Sequence, residues 1–436
     1  MQIQVFKFGG ASINSGERIK NMAGILQRYA IGPVLVVVSA IGKTTNALEE
    51  VLENYLANDP LAVLDSFQKV SDYHFAILDS LFSDKSHPVY GEVTSLFDQL
   101  RGYIRKGHLY SQTKPGRDFE YDQIVSFGEL FASAIVHHYL VSQGLTCRLF
   151  DVRELIRTDA TYRDARVDWN TTGRLIQDAV SGWFPDHPGK GAIAITQGFI
   201  GCDPAGNTTT LGREGSDFSA AIFAFSLQAR EMTIWKDVPG VMNADPKLMP
   251  DAVCLDTLSY REVIELAYYG ASVIHPKTIK PLENAGIRLR VKSFLHPELE
   301  GTVVENIREW KISTPIYILK QNQVLISVSP RDFSFIMEEN LSEIFRTLAA
   351  FRIKVNVMQN SAISFSICVD NDPHKITPLL SFLQKNYETR YNQGIELYTI
   401  RHYTDEAITR ITRDRKILME LRSRNTFQVL LDKKNG

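Results

Sequence analysis

The chain opens on an apolar run, Val5-Phe6-Lys7-Phe8, that stops at Gly9-Gly10 and is followed by Ile19, Met22, Ala23 and Leu26 at helical spacing. A strand, a glycine turn and a helix are predicted in that order. Residues 33–40 form an unbroken apolar run, not an alternating one, which suits a parallel strand covered on both faces. A polar loop from Ser39 to Asn46 comes next, then a helix bearing Leu48, Val51, Leu52 and Tyr55. Residues 61–82 and 89–105 carry the spacing of two long amphipathic helices and are expected to be scaffold. From 122 to 144 another helical pattern holds Glu129 among apolar neighbours, where a solvated position is the ordinary reading. Candidate strands at 146–150, 191–196 and 232–235 alternate with these helices, as in a parallel α/β sheet.

Before the last of these strands lies the densest polar block, Thr208-Thr209-Thr210-Leu211-Gly212-Arg213-Glu214-Gly215-Ser216-Asp217, leading into a helix expected over 218–229. Free N–H groups and the dipole at a helix N-terminus favour an anion, and Asp217 is placed to cap that helix. After the strand at 232–235, Lys236-Asp237-Val238-Pro239-Gly240-Val241 turns away. Ser259 with Glu262 makes a capping box and Leu258 with Val263 a hydrophobic staple, so a helix starts there and ends near Gly270. His275-Pro276-Lys277 opens another helix, closed by Gly286 before a strand at 288–291.

The pattern lapses over 307–315 and then changes. Strands at 324–328, 353–357, 363–369 and 397–400, with helices around 341–348 and 373–383, give the ferredoxin-like strand-helix-strand-strand-helix-strand order. A fainter copy follows, with a strand at 396–403, a helix from Asp405, and strands near 417–421 and 427–431. Two regions are therefore expected, 1–306 and 315–436. The second divides into repeats of about 321–390 and about 391–436, with a strand at 315–320 available to complete the latter. The basic cluster Arg410, Arg413, Arg415, Lys416, Arg422 and Arg424 is expected to be solvated surface.

Composition narrows the partners. A chain of 436 residues exceeds one ordinary domain, and 44% hydrophobic with 22% charged residues is typical of soluble globular proteins. A net charge of −2 gives no basic excess for nucleic acid or anionic membrane, so small molecules are the expected ligands. Four cysteines lie scattered, without the spacing of a metal site, so no metal-ligand cluster is expected. There is no basic leader followed by an apolar core and no apolar run near the ~20 residues that span a bilayer, and the expected location is cytoplasmic. Adjacent glycines let backbone N–H groups approach an anion, and Lys7 adds an ammonium. These residues alone leave both a phosphate cradle and a mere tight turn open.

Three blocks together carry a resemblance: Lys7-Phe8-Gly9-Gly10-Ala11-Ser12, Thr208 to Arg213 with Gly215-Ser216-Asp217, and Asp237-Val238-Pro239-Gly240-Val241. In order and spacing they resemble the aspartokinases, and the tail resembles that family's paired ACT-type regulatory domains. The resemblance implies an amino-acid-kinase fold, a three-layer α/β sandwich with a mainly parallel central sheet, followed by ferredoxin-like α+β domains. It implies ATP with Mg2+, L-aspartate as acceptor and 4-phospho-L-aspartate as product, the first step toward lysine, threonine and methionine. It also implies a homodimer under amino-acid feedback. By that resemblance Lys7, Gly9 and Gly10 hold the transferring phosphates. Ser39, Thr45, Glu129, Arg213, Ser216 and Asp217 fall where the family binds or positions aspartate, and Lys236, Asp237 and Met242 where it receives the nucleotide. The chemistry suits these residue types. An aspartate side chain with a pKa of about 4 is already ionised at pH 7, so no base is needed and Asp217 is cast as the organiser of Lys7. Arg213 can grip the α-carboxylate and Glu129 can pair with the α-ammonium.

The departures are equally specific. Ala11 replaces a usual threonine, Glu214 a usual glycine, Lys236 a threonine and Met242 a tyrosine. Ser272 stands where the family has a lysine near the phosphates, with Lys277 as a candidate substitute. Asn356 stands where lysine-sensitive members offer an acid to the effector; Ser361 is the second effector candidate, and the preceding helix begins Glu338-Glu339-Asn340 instead of with glycine. Lysine and threonine both stay open as effectors. Two rival readings remain. One is a kinase for glutamate or N-acetylglutamate, opposed by Glu129 because an acetylated amine needs no carboxylate. The other is an inactive amino-acid sensor, favoured by Ala11, Glu214 and Ser272 and opposed by Lys7, Arg213 and Asp217.

Overall fold

In the computed structural model the described residues are 2–109, 116–187, 191–271, 274–307, 314–332 and 334–432; Ser272 lies outside them. The apolar runs become the strands of one sheet: β1 (Gln4–Phe8), β2 (Val34–Val38), β3 (Cys147–Phe150) and β4 (Ile193–Gln197). A short hairpin, β5 (Ile200–Cys202) and β6 (Thr208–Thr210), stands apart from it, and β7 (Glu231–Lys236), β8 (Thr257–Ser259), β9 (Arg288–Ser293) and β10 (Thr302–Glu305) complete it. The sheet order is β3-β4-β2-β1-β7-β9-β10-β8, parallel except where β10 runs antiparallel to β9. All five residues of β2 are fully buried, which is why its sequence does not alternate. Phe6, Phe8, Val36 and Val38 pack under the helices of one face. Helix Gly215–Ser226 covers β1, β2 and β7 on the other. β1 is flanked by β2 on one side and β7 on the other, with Phe8 opposite Val38 and Trp235. Chain order reverses there, and such a switch point opens a crevice at the carboxyl ends of the strands.

Two elements differ from the sequence reading. The helical pattern at 122–144 is two helices, Arg117–Val125 and Phe127–Ser142, meeting at Ser126. Taken together they are long and apolar enough to cross a membrane, yet 78% of the most apolar window is buried inside the fold. The helix expected from 218 starts at Gly215, and its N-cap is Glu214, with φ 53°. Asp217 sits inside the first turn, not at the cap, because the Gly212–Gly215 turn has already brought the chain into helical register.

The chain divides into two compact units, Met1–Met242 with Cys254–Ile264 and Val273–Arg308, and Asn243–Val253 with Glu265–Ser272 and Glu309–Gly436. The second is built on β11 (Ile316–Ser329), β12 (Val355–Asn360), β13 (Phe365–Asp370), β14 (Glu388–Arg401), β15 (Ile417–Arg422) and β16 (Thr426–Leu431). They form one antiparallel sheet of order β12-β13-β11-β14-β16-β15. The strands read as separate at 315–320 and 324–328 are one strand, β11, which pairs with β14 from Ile316 opposite Arg401 to Ser329 opposite Glu388. The interruption is absorbed by a register shift between Lys320 and Gln323 and by Asn322 at φ 53°, a bulge and not a chain break. Both repeats thus share one sheet. Ile344, Leu379 and Leu383 pack on Val324, Ile326 and Ile367, and Ile408 and Ile411 on Ile400 and Phe427. Arg415 corrects the surface reading of the basic cluster: its side chain is 7% exposed and pairs with Glu396 at 2.7 Å.

Candidate active site

The two loops at the ends of β1 and β2 hold each other. A side chain at Gly10 would place its Cβ 2.6 Å from the Gly42 carbonyl oxygen and 2.7 Å from that of Ala40. Glycine is required there by close backbone approach, and the Gly42 N–H donates to the Gly10 carbonyl at 3.0 Å. Helix Pro60–Leu81 braces both loops. Tyr73 donates its hydroxyl to the Asn14 carbonyl at 2.8 Å, and His74, neutral because burial pushes its ring down to about 4, packs beside Thr44. A short 3-10 turn, Gly10–Ile13, separates the glycines from the first α-helix at Gly16. Within it Ser12 donates its hydroxyl to the Trp235 carbonyl at 2.9 Å, tying this loop to the end of β7.

The charges converge between these loops and helix Gly215–Ser226. Lys7 Nζ lies 2.7 Å from Asp217 Oδ1, and both are buried. Burial pushes the Asp217 carboxyl up, but Lys7 and then Lys236 outweigh it and hold it below the ordinary range. Glu129 is 1% exposed. Its Oε1 accepts from the Ala40 N–H at 3.3 Å, while Oε2 has no hydrogen-bond partner among the described residues. Burial therefore raises its carboxyl to about 8, against the Ala40 N–H and the Lys7 charge. Ser216 donates its hydroxyl to Ser39 Oγ at 3.0 Å.

Lys7, Ser39, Thr45, Glu129, Arg213, Ser216 and Asp217 line one cavity of about 450 Å³. Glu214 lines it too, at a left-handed position where glycine would be easiest, with its Oε2 accepting from the His275 N–H at 2.8 Å. The other candidates are not among its lining residues. Gly9 is where a Cβ would come 3.3 Å from Lys7 Nζ. Lys236 is the last residue of β7, which lies next to β1, and Asp237 follows it. Met242 pairs through its backbone with Cys254, and Lys277 is ion-paired with Asp164. In the second unit, Asn356 Oδ1 accepts from Lys320 Nζ at 2.8 Å, and its amide donates to Gln323 and Asp370. Ser361 belongs to the β12–β13 turn, where it bonds Ser364, so the two effector candidates sit in separate networks.

Three further lining residues, Tyr121, Arg163 and Phe199, carry no assignment from the sequence, and Thr210 comes from the polar block. Behind them is Asp122, fully buried, which accepts from the Thr210 N–H and hydroxyl at 2.7 and 2.8 Å and from the Arg163 N–H at 3.1 Å. Burial raises its carboxyl to about 6 against those hydrogen bonds. An aspartate among apolar residues at helical spacing was the available signal, and it does not differ in sequence from a surface acid. Among the described residues no group of three His, Cys, Asp or Glu side chains could hold a metal ion.

The profile of the amino acid kinase family matches residues 2–293. Lysine-sensitive aspartokinase 3 of Escherichia coli (strain K12) is 31% identical over 372 residues, covering 85% of this chain and 78% of that protein. The chloroplastic bifunctional aspartokinase/homoserine dehydrogenase 2 of Arabidopsis thaliana is 28% identical over 89% of this chain, which spans only 42% of that relative's length. Crystal structures of E. coli aspartokinase III superpose with TM-scores of 0.80 for its complex with lysine and aspartate and 0.78 for that with aspartate and ADP. They are 27% and 26% identical, and each alignment covers 99% of this chain and 96% of the other.

Proposed function

We propose, for a chain that belongs to the amino acid kinase family and within it to the aspartokinases, that it transfers the γ-phosphoryl group of ATP to the side-chain carboxylate of L-aspartate. The observation that carries this reading is Glu129 Oε2, buried and unpartnered in a cavity that also presents Arg213 and Lys7. A buried acceptor without a donor is costly, and an α-ammonium satisfies it. Arg213 takes the α-carboxylate with a two-pronged hydrogen bond, which leaves the side-chain carboxylate directed at Lys7. A carboxylate oxygen attacks the γ-phosphorus, the bond to the β,γ-bridging oxygen breaks, and ADP leaves; no proton has to move. Lys7, kept charged and oriented by Asp217, stabilises the transferring phosphoryl group, and the Gly9-Gly10 backbone cradles it. Lys236, Asp237, Met242 and Lys277 receive the nucleotide, Lys277 by exchanging its exposed pair with Asp164 for phosphate. Magnesium enters with the nucleotide and neutralises its phosphate charge; among the described residues no group of three His, Cys, Asp or Glu side chains offers it a cage.

The second unit is assigned a regulatory role, with Asn356 and Ser361 as effector candidates and a homodimer as the working assembly. Titration with lysine and with threonine identifies the effector, and sedimentation the assembly. For the activity, ADP release is measured with ATP, magnesium and either L-aspartate or L-glutamate. Aspartate-dependent turnover is expected; no release, or equal release with glutamate, overturns the reading.

A further inference from the structure

We infer that Arg163 is a second arginine for the acceptor, so that the cavity reads a free α-carboxylate with two guanidinium groups and not with Arg213 alone. The inference rests on the acceptor reading of the cavity given above. Arg163 lines the same cavity as Glu129 and Arg213. It comes from the turn between Thr158 and Val167, which pair as an isolated bridge. That turn is fastened at three points. The Arg163 N–H donates to both oxygens of buried Asp122, at 3.2 and 3.1 Å; the Ala165 N–H donates to the Thr210 carbonyl at 2.9 Å; and Asp164 is paired with Lys277.

The side chain is equally directed. Its guanidinium lies 4.1 Å from the centre of the Tyr121 ring, itself a lining residue, in a cation–π contact. The competing account makes Arg163 a surface arginine balanced by Asp118. That pair is 3.6 Å apart with side chains 43% and 64% exposed, a geometry of little energetic weight that gives way to a bidentate carboxylate. Arg163 also holds φ 66°, a region that disfavours a long side chain, and no buried contact in the turn calls for arginine there. Two guanidinium groups for the α-carboxylate, Lys7 for the side-chain carboxylate and the buried Glu129 for the amine match a ligand with two acid groups and one amine.

The test compares Arg163→Gly, which takes the same backbone angle without strain, with Arg163→Lys in the full-length enzyme. Loss of a charge-assisted hydrogen bond should raise the KM for L-aspartate about tenfold in the glycine variant while the KM for ATP stays within about twofold. Lysine should recover part of the loss, since it returns the charge but not the fork. An unchanged KM for aspartate overturns the inference, as does a parallel rise for both substrates, which would mark a purely structural turn. If the wild-type enzyme gives no aspartate-dependent ADP release, the acceptor reading fails and this inference with it. Wild-type turnover with an unaltered glycine variant rejects the role of Arg163 alone.

Discussion

Lys7 and Asp217 are buried against each other, so deleting the lysine strands a carboxylate that water does not reach. Lys7→Ala is expected to abolish phosphoryl transfer and also to lower stability by about 3 kcal/mol, because an unpaired buried charge is far costlier than a missing pair. Lys7→Met with Asp217→Asn should recover most of that stability in a urea titration while remaining inactive; a double variant no more stable than the single one would count against the pair. Glu129 sets a pH dependence. Its carboxyl holds a proton up to about pH 8, so it lacks the charge an ammonium needs below that point. The kcat/KM for aspartate should climb with pH toward a plateau beyond about 8, and Glu129→Gln should be low and lack that limb. For folding the sign is opposite. A raised carboxyl leaves stability intact below its ordinary range, near 4.5, and removes it progressively as pH rises toward 8. At pH 7 that loss is on the order of 3 kcal/mol, and Glu129→Gln should escape it. Glu129 was legible as a candidate only through resemblance, since in isolation its neighbours mark an ordinary helix position. The backbone donor that its Oε1 finds, the Ala40 N–H, arrives from 89 residues away.

At the scale of elements, the strand-loop-helix units followed from apolar runs ended by glycine and polar residues, and the Gly9-Gly10 turn follows β1 as expected. What the pattern did not contain is why Gly10 matters. Its partners are backbone carbonyls of the next loop, which cannot rotate aside. Gly10→Ala should therefore destabilise by about 1–3 kcal/mol and raise the KM for ATP, measured together by thermal melts and kinetics. Ala11, by contrast, is exposed, and Ser12 carries the hydroxyl that anchors this turn to β7. Ala11→Thr should change stability by no more than about 0.5 kcal/mol. The early start of helix Gly215–Ser226 was hidden because Glu214, a poor residue for φ 53°, gives no local sign of a left-handed cap. Its carboxylate is met by the His275 N–H.

Across the whole molecule, the second unit draws two segments from the middle of the chain. The Tyr317 N–H donates to the Asn243 carbonyl at 2.7 Å, Asn243 donates to the Pro315 carbonyl at 3.0 Å, and Met249 packs with Tyr317, Tyr398 and Tyr403. A chain ending at residue 306 keeps those segments without their partners, and limited proteolysis should cut within 243–271 far faster than in the full chain. Arg410→Ala, which removes an exposed pair with Asp251 and a 5.8 Å contact with the Tyr317 ring, should alter the stability of the full chain by no more than about 1–2 kcal/mol. The order of strands and helices, the glycine turns, the caps at Asp372 and Thr404 and the polar block before Asp217 are properties of neighbours along the chain, so the sequence by itself determined them. Only the tertiary structure decided that β11 and β14 are single strands shared by two repeats, that the Arg415 side chain is 7% exposed, and that Arg163 and Glu129 line one cavity with Asp122 held behind it. Desolvation and pairing depend on which distant segments meet, and no local period records that meeting.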